Sequence, residues 1–93
     1  MRLFRLEKGQ DQEKTVITLE GELAGEYVAV VEGYMKNLLG GPAPLVVRLL
    51  DVNFIDPAGI HLLKGFVDRG VSLQGSGVYT SFLLARLKKL SLA

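Results

Sequence analysis

The chain has 93 residues, enough for one domain with one core and too few for a second. Its net charge of +1 offers no electrostatic case for nucleic acid, and its 48% hydrophobic content suits a small domain held by packing alone. Cysteine is absent, which removes disulfides, thiolate chemistry and thiolate-held zinc or iron–sulfur clusters.

Leu3 to Glu7 alternates loosely and predicts a short strand, and the polar, glycine-punctuated Gly9–Glu13 predicts a turn. The N-terminal segment lacks the long apolar core of a signal peptide. No apolar run approaches the roughly 20 residues that cross a bilayer. A cytoplasmic protein without membrane insertion is expected. Thr15–Leu19 is rich in β-branched residues and predicts a second strand, ended by Gly21.

From Glu22 to Leu39 the period changes. Leu23, Tyr27, Val30, Val31, Tyr34, Met35 and Leu38 recur at three- and four-residue steps, which predicts a helix with these residues on its inward stripe. Gly40-Gly41-Pro42 stops it. Leu45–Leu50 predicts a third strand. Pro57 to about Asp68 predicts a second helix, with Ile60, Leu63, Phe66 and Val67 inward. Val71–Gln74 predicts a short fourth strand, and Val78–Leu90 a last helix with Phe82, Leu83, Leu87 and Leu90 inward.

The order β-β-α-β-α-β-α contains two successive right-handed crossovers, so every helix falls on one sheet face. Ile17, Leu19, Val47, Leu49, Val71 and Leu73 can face the helices, while Thr18, Arg48, Ser72 and Gln74 face away. Strands covered on both faces would instead read as continuous apolar runs. The expected fold class is α/β, an open-faced sandwich with a mixed four-stranded sheet and helices on one face, in a single domain over residues 1–93.

Little in the chain suggests catalysis. His61, the only histidine, falls beside Lys64, Gly65 and Asp68, away from the apolar stripe, and reads as a solvated helix residue with no orienting partner. No phosphate-binding loop and no metal-ligand spacing is present, so neither cofactor nor metal is expected. Lys88 and Lys89 read as complements to a helix C-terminus. The junction Asp56-Pro57-Ala58-Gly59 reads as a helix start, with Asp56 as N-cap and Pro57 at the first helical position, where its missing N–H costs nothing.

Two segments carry more. Leu19-Glu20-Gly21-Glu22-Leu23 and Phe54-Ile55-Asp56-Pro57-Ala58-Gly59-Ile60, in this order and spacing, resemble the two signatures of the STAS family, whose best-known members are bacterial anti-sigma factor antagonists. The resemblance covers nearly the whole chain. It departs at Ala24, where the family often has aspartate, and at Pro57, where it usually has a phosphorylated serine or threonine. The second helix is about one turn shorter than usual. The chain also stops after its third helix, without the closing strand and helix of many relatives. That leaves the fourth strand as an edge, blunted by its shortness and by Ser72 and Gln74.

The resemblance implies a non-catalytic adaptor that binds a protein partner through the strand–helix junction and the exposed side of the second helix. The residues are Asn53, Asp56, Pro57, Ala58, His61 and Lys64, with Asp68 beyond. Ala58 and Gly59, being small, either admit a partner close to the backbone or relieve crowding against the sheet. Ser76, Thr80 and Ser81 are hydroxyls elsewhere, but none matches the family position. The implied partner is a kinase-like anti-sigma factor. The alternative is the ATPase of a lipid-transporting ABC system with a small STAS subunit, which the short length and Val71–Gly75 also suit. A small enzyme or nucleotide-binding protein would need a pocket with convergent polar groups, and none is legible. A homodimer is also open, because Leu3, Val16 and Val46 would leave an apolar strip on the uncovered sheet face.

Overall fold

The computed structural model describes residues 4–75 and 77–91, with the side chains of all of these except 78 and 88–91. The elements are β1 Phe4–Asp11, β2 Lys14–Leu23, α1 Glu26–Lys36, β3 Leu45–Ile55, α2 Pro57–Asp68, β4 Ser72–Gly75 and α3 Val78–Ser91. They form the expected α/β sandwich. The sheet order is β1-β2-β3-β4, with β1 antiparallel to β2 and the remaining pairs parallel.

The core lies between sheet and helices. Ile17, Leu19, Val47, Leu49 and Leu73 supply its sheet side and Val31, Met35, Leu63, Phe66, Leu84 and Leu87 its helix side, as the strand alternation predicts. Leu49, Val47, Ile17 and Leu19 are essentially sealed from water. Burying one such side chain contributes about 1.5–3 kcal/mol, so this layer dominates the stability.

Several boundaries differ from the sequence expectation. The first hairpin is longer, because Gly9–Asp11 pair with Val16–Lys14 and only Gln12 and Glu13 make the turn. Gly21 does not end β2. Its φ of 105° lies within the strand, and pairing with β3 continues to Leu23–Ile55. Leu23 is therefore a fully buried strand residue, and α1 starts at Glu26. The helix ends at Lys36, followed by turns through Leu39.

With Leu23 spent in the strand, the inward face of α1 centres on Val31 and Met35. Val30, one step away, is 54% exposed, and Tyr34 is 36% exposed. On α3 the inward face is Thr80, Leu84 and Leu87. Phe82 stands about 200° round the helix from Leu84 and is 65% exposed, contrary to expectation. Leu90 lies outside the described side chains. On α2, Leu62 joins Leu63 and Phe66 in the core, and Ile60 and Val67 are half-buried against it.

The uncovered sheet face also differs. Val16 and Val46 are buried there, and no apolar strip is left by them. Val16 sits in a hollow of about 250 Å³ walled by Glu7, Gln10, Asp11, Thr18 and Arg48, and Val46 lies between its paired neighbours Val16 and Ser72. Leu3 lies outside the described residues.

Candidate functional site

The site begins where β3 loses its register. Opposite Glu20-Gly21-Glu22, β3 carries two extra residues, Asp51 and Asn53. Strict alternation from the buried Leu49 would place both polar side chains in the core. The irregularities turn them outward and bring Val52 and Ile55 inward. Asp51 adopts φ 52°, a conformation that aspartate tolerates better than bulkier residues.

Asp56 follows, in extended geometry with φ −79° and ψ 172°. Its carboxylate joins two elements. Oδ1 accepts from the Gly59 N–H at 2.7 Å, which caps α2, and Oδ2 accepts from the Gly25 N–H at 2.9 Å, at the start of α1. The Asp56 N–H donates to the Leu23 carbonyl at 3.2 Å. One side chain thus fixes the starts of both helices against the ends of β2 and β3. Pro57 occupies the first turn of α2, as expected.

Gly59 settles one of the alternatives left by the sequence. A Cβ there would stand 2.7 Å from the Leu23 carbonyl oxygen and 2.8 Å from Ile55 Cγ2. Its small size lets α2 sit on the sheet, so the crowding account holds for Gly59. Ala58 points outward and is exposed.

Pro57, Ala58, His61, Lys64 and Asp68 are all exposed along the outer side of α2, and Lys64 pairs with Asp68 at 3.7 Å. Asn53 is exposed on the bulged strand just before the junction. Every sequence-predicted site residue therefore lies on or beside one continuous feature.

Sequence reasoning missed three contributors. The first turn of α3 latches onto the bulged end of β3. The Thr80 hydroxyl donates to the Val52 carbonyl at 3.2 Å, and the Tyr79 phenol oxygen accepts from the Ile55 N–H at 3.3 Å. Thr80 is buried and engaged, while Ser81 is exposed and Ser76 lies outside the described residues. Next to this latch Phe54 is 46% exposed and Tyr79 45% exposed, which adds aromatic surface to the junction. A Phe-x-Asp-Pro start that leaves a large aromatic no inward position was the available signal for Phe54. Tyr79 gave none.

The other concavity is a groove of about 520 Å³ between α1 and α2. Gly33 and Gly65 lie on its sides, with Glu32, Lys36, His61 and Arg69 around it. Added Cβ atoms at Gly33 and Gly65 would meet nothing within 4 Å. These two helix-interior glycines were the sequence signal for a groove. Among the described residues no cluster of three or more His, Asp or Glu side chains could hold a metal ion. Among the same residues no helix is long and apolar enough to cross a membrane.

No protein-family model matches this chain, and no curated protein matches it significantly.

Proposed function

We propose that this chain is a non-catalytic docking module of the STAS type, which binds a protein partner through the β3–α2 junction and the outer side of α2. The observation that carries this reading is the Asp56 clamp. Its two carboxylate oxygens tie the start of α2 to the start of α1, its backbone N–H bonds the end of β2, and Pro57, Ala58, His61 and Lys64 are left exposed on the helix it caps. Sites on such elements hold their geometry better than sites on loops. Phe54 and Tyr79 supply the apolar contact that a polar helix face lacks.

The STAS resemblance places the usual phosphoacceptor at Pro57, and α2 carries no hydroxyl side chain at all. Docking through this face is therefore constitutive with respect to that switch. Two partner classes fit, a kinase-like anti-sigma factor and the ATPase of a lipid-transporting ABC system. The short β4 at the sheet edge, in the Val71–Gly75 segment, suits the second as well as the first.

The test is calorimetric titration against an anti-sigma kinase or a transporter ATPase encoded beside this chain. Lys64→Glu and His61→Ala are expected to weaken binding by about tenfold each with unchanged melting, in keeping with the loss of individual interface side chains. Incubation with the kinase and ATP is expected to leave α2 unmodified. A phosphoryl group mapped to α2, or full binding by both variants, refutes the proposal.

A further inference from the structure

We propose that two copies of this chain pair through their β1 edges, in a symmetric dimer centred on Leu6.

β1 ends the sheet and has a strand on one side only. Among the described residues, no backbone group of β1 bonds outside the hairpin. The edge runs unbroken from Phe4 to Asp11, with no proline and no bulge, two devices that close edges to other strands. What remains on it is charge, and charge decides which strand can join it.

A twofold axis normal to the sheet sets β1 antiparallel to its copy and keeps every helix on one face. The residue on the axis fixes the register. With Leu6 there, leucine meets leucine, Arg5 opposes the copy's Glu7 and Glu7 the copy's Arg5, and Phe4 opposes Lys8. Moving the centre by one residue sets arginine against arginine at Arg5 or glutamate against glutamate at Glu7, and a centre at Lys8 opposes two lysines. Like charges directly opposite are destabilising, so of these centres Leu6 alone is free of repulsion. The side chains of Arg5 and Glu7 are 68% and 60% exposed, and Arg5 bonds Glu7 of its own chain at 2.9 Å. Its guanidinium has five donors and can serve both carboxylates.

The helix above points to the same axis. α1 packs on β2, and its Tyr27 stacks on Phe4 with ring centroids 4.8 Å apart. α1 returns antiparallel to β2 and so runs the same way as β1. Phe4 to Leu6 spans about 7 Å of strand, or about four to five residues of helix, which brings Leu6 level with Val31. Ala29, Glu32, Gly33 and Lys36 line the groove toward α2. Tyr27 and Tyr34 therefore stand on the opposite flank, above β1, with Val30 beside them. Val30 is 54% and Tyr34 36% exposed there. An axis at Leu6 lays the two α1 helices antiparallel and about 10–14 Å apart, with Val30 near its copy and Tyr27 near the copy's Tyr34. One operation thus closes both the unpaired edge and the exposed flank. α2 lies beyond α1 from the axis, so both docking faces stay open.

Sedimentation velocity of the purified full chain is expected to show a monomer–dimer equilibrium that stops at two copies, because the contact uses one surface twice. Arg5→Glu and Glu7→Arg each place like charges opposite one another on both sides of the axis. Each is expected to weaken dimerisation by about tenfold or more and to change melting little, since both side chains are exposed. Mixed in equal amounts, the two variants are expected to pair with one another at wild-type strength, because every cross-strand charge then meets its opposite. Val30→Lys, on the helix flank, is expected to weaken dimerisation by a similar factor. A wild-type chain that stays monomeric at millimolar concentration overturns the proposal, as does growth beyond two copies. So does wild-type dimerisation by either charge variant or by Val30→Lys, or a mixture no stronger than its components.

Discussion

Asp56 tests the architecture of the junction, because its two oxygens do separable work. Asp56→Ala removes the α2 cap and the tie to α1 together. The cap contributes about 1 kcal/mol. The bond to Gly25 is charge-assisted but exposed, so it belongs at the low end of the 1.5–3 kcal/mol range for bonds to charged groups and is discounted to about 1 kcal/mol. The expected loss for Asp56→Ala is about 2 kcal/mol, or about 8–16 °C in Tm for a domain of this size. Asp56→Asn separates the terms. Its amide oxygen still caps Gly59, since asparagine is as good an N-cap as aspartate, but its NH₂ group meets the Gly25 N–H donor to donor. The expected loss is about 1 kcal/mol. Urea and thermal unfolding followed by circular dichroism measure both. If Asp56→Asn is as damaging as Asp56→Ala, or if Asp56→Ala loses under about 0.5 kcal/mol, the clamp does not hold the two helix starts and the rigid-docking argument fails with it.

Other substitutions probe neighbouring contacts by the same unfolding measurements. Gly59→Ala is expected to destabilise by about 1–3 kcal/mol, because the Leu23 backbone carbonyl cannot yield to a new Cβ. Gly65→Ala, in open space within the same helix, is expected to stabilise by about 0.5–1 kcal/mol. Thr80→Val leaves the buried Val52 carbonyl without its hydroxyl donor and is expected to lose about 1–3 kcal/mol. Gly75→Ala would overlap the Thr80 methyl and is expected to loosen the same latch. Lys64→Ala breaks only an exposed i,i+4 ion pair and is expected to change stability by less than about 0.5 kcal/mol, so a binding defect there reports docking and not folding.

The fold class was legible because the strand alternation was clean where it mattered. Ile17/Leu19 and Val47/Leu49 inward against Thr18/Arg48 outward leave only one covered face. The Asp56-Pro57 helix start was legible for a local reason, since capping needs no tertiary context. What failed was whatever depended on a neighbouring strand. Asp51-Val52-Asn53 breaks the two-residue period, so β3 reads as ending at Leu50, yet pairing with β2 carries it to Ile55 through two outward-turned residues. Gly21 reads as a stop for the same reason. The misplaced helix faces have another cause. α1 and α3 contain more apolar residues than one stripe can bury, and only packing decides that Val31 goes in and Val30 out, or Leu84 in and Phe82 out.

The two irregularities of β3 do more than hide polar side chains. Among the described residues, β4 pairs with β3 as far as Leu49–Gly75, and no strand lies on the outer side of β3 beyond that point. An unpaired strand end would expose free backbone groups to any passing edge. The start of α3 fills this position, with Thr80 taking the Val52 carbonyl and Tyr79 the Ile55 N–H. The substitution of side-chain for strand partners has a consequence for the site. A continued β4 would cover the flank where Phe54 emerges, whereas a helix start bonded at two points leaves it open. The exposed aromatic surface beside α2 is thus a product of where the fourth strand stops. Extending the Ser72–Gly75 pairing by even one more residue pair would compete with the Thr80 bond at the end of β3.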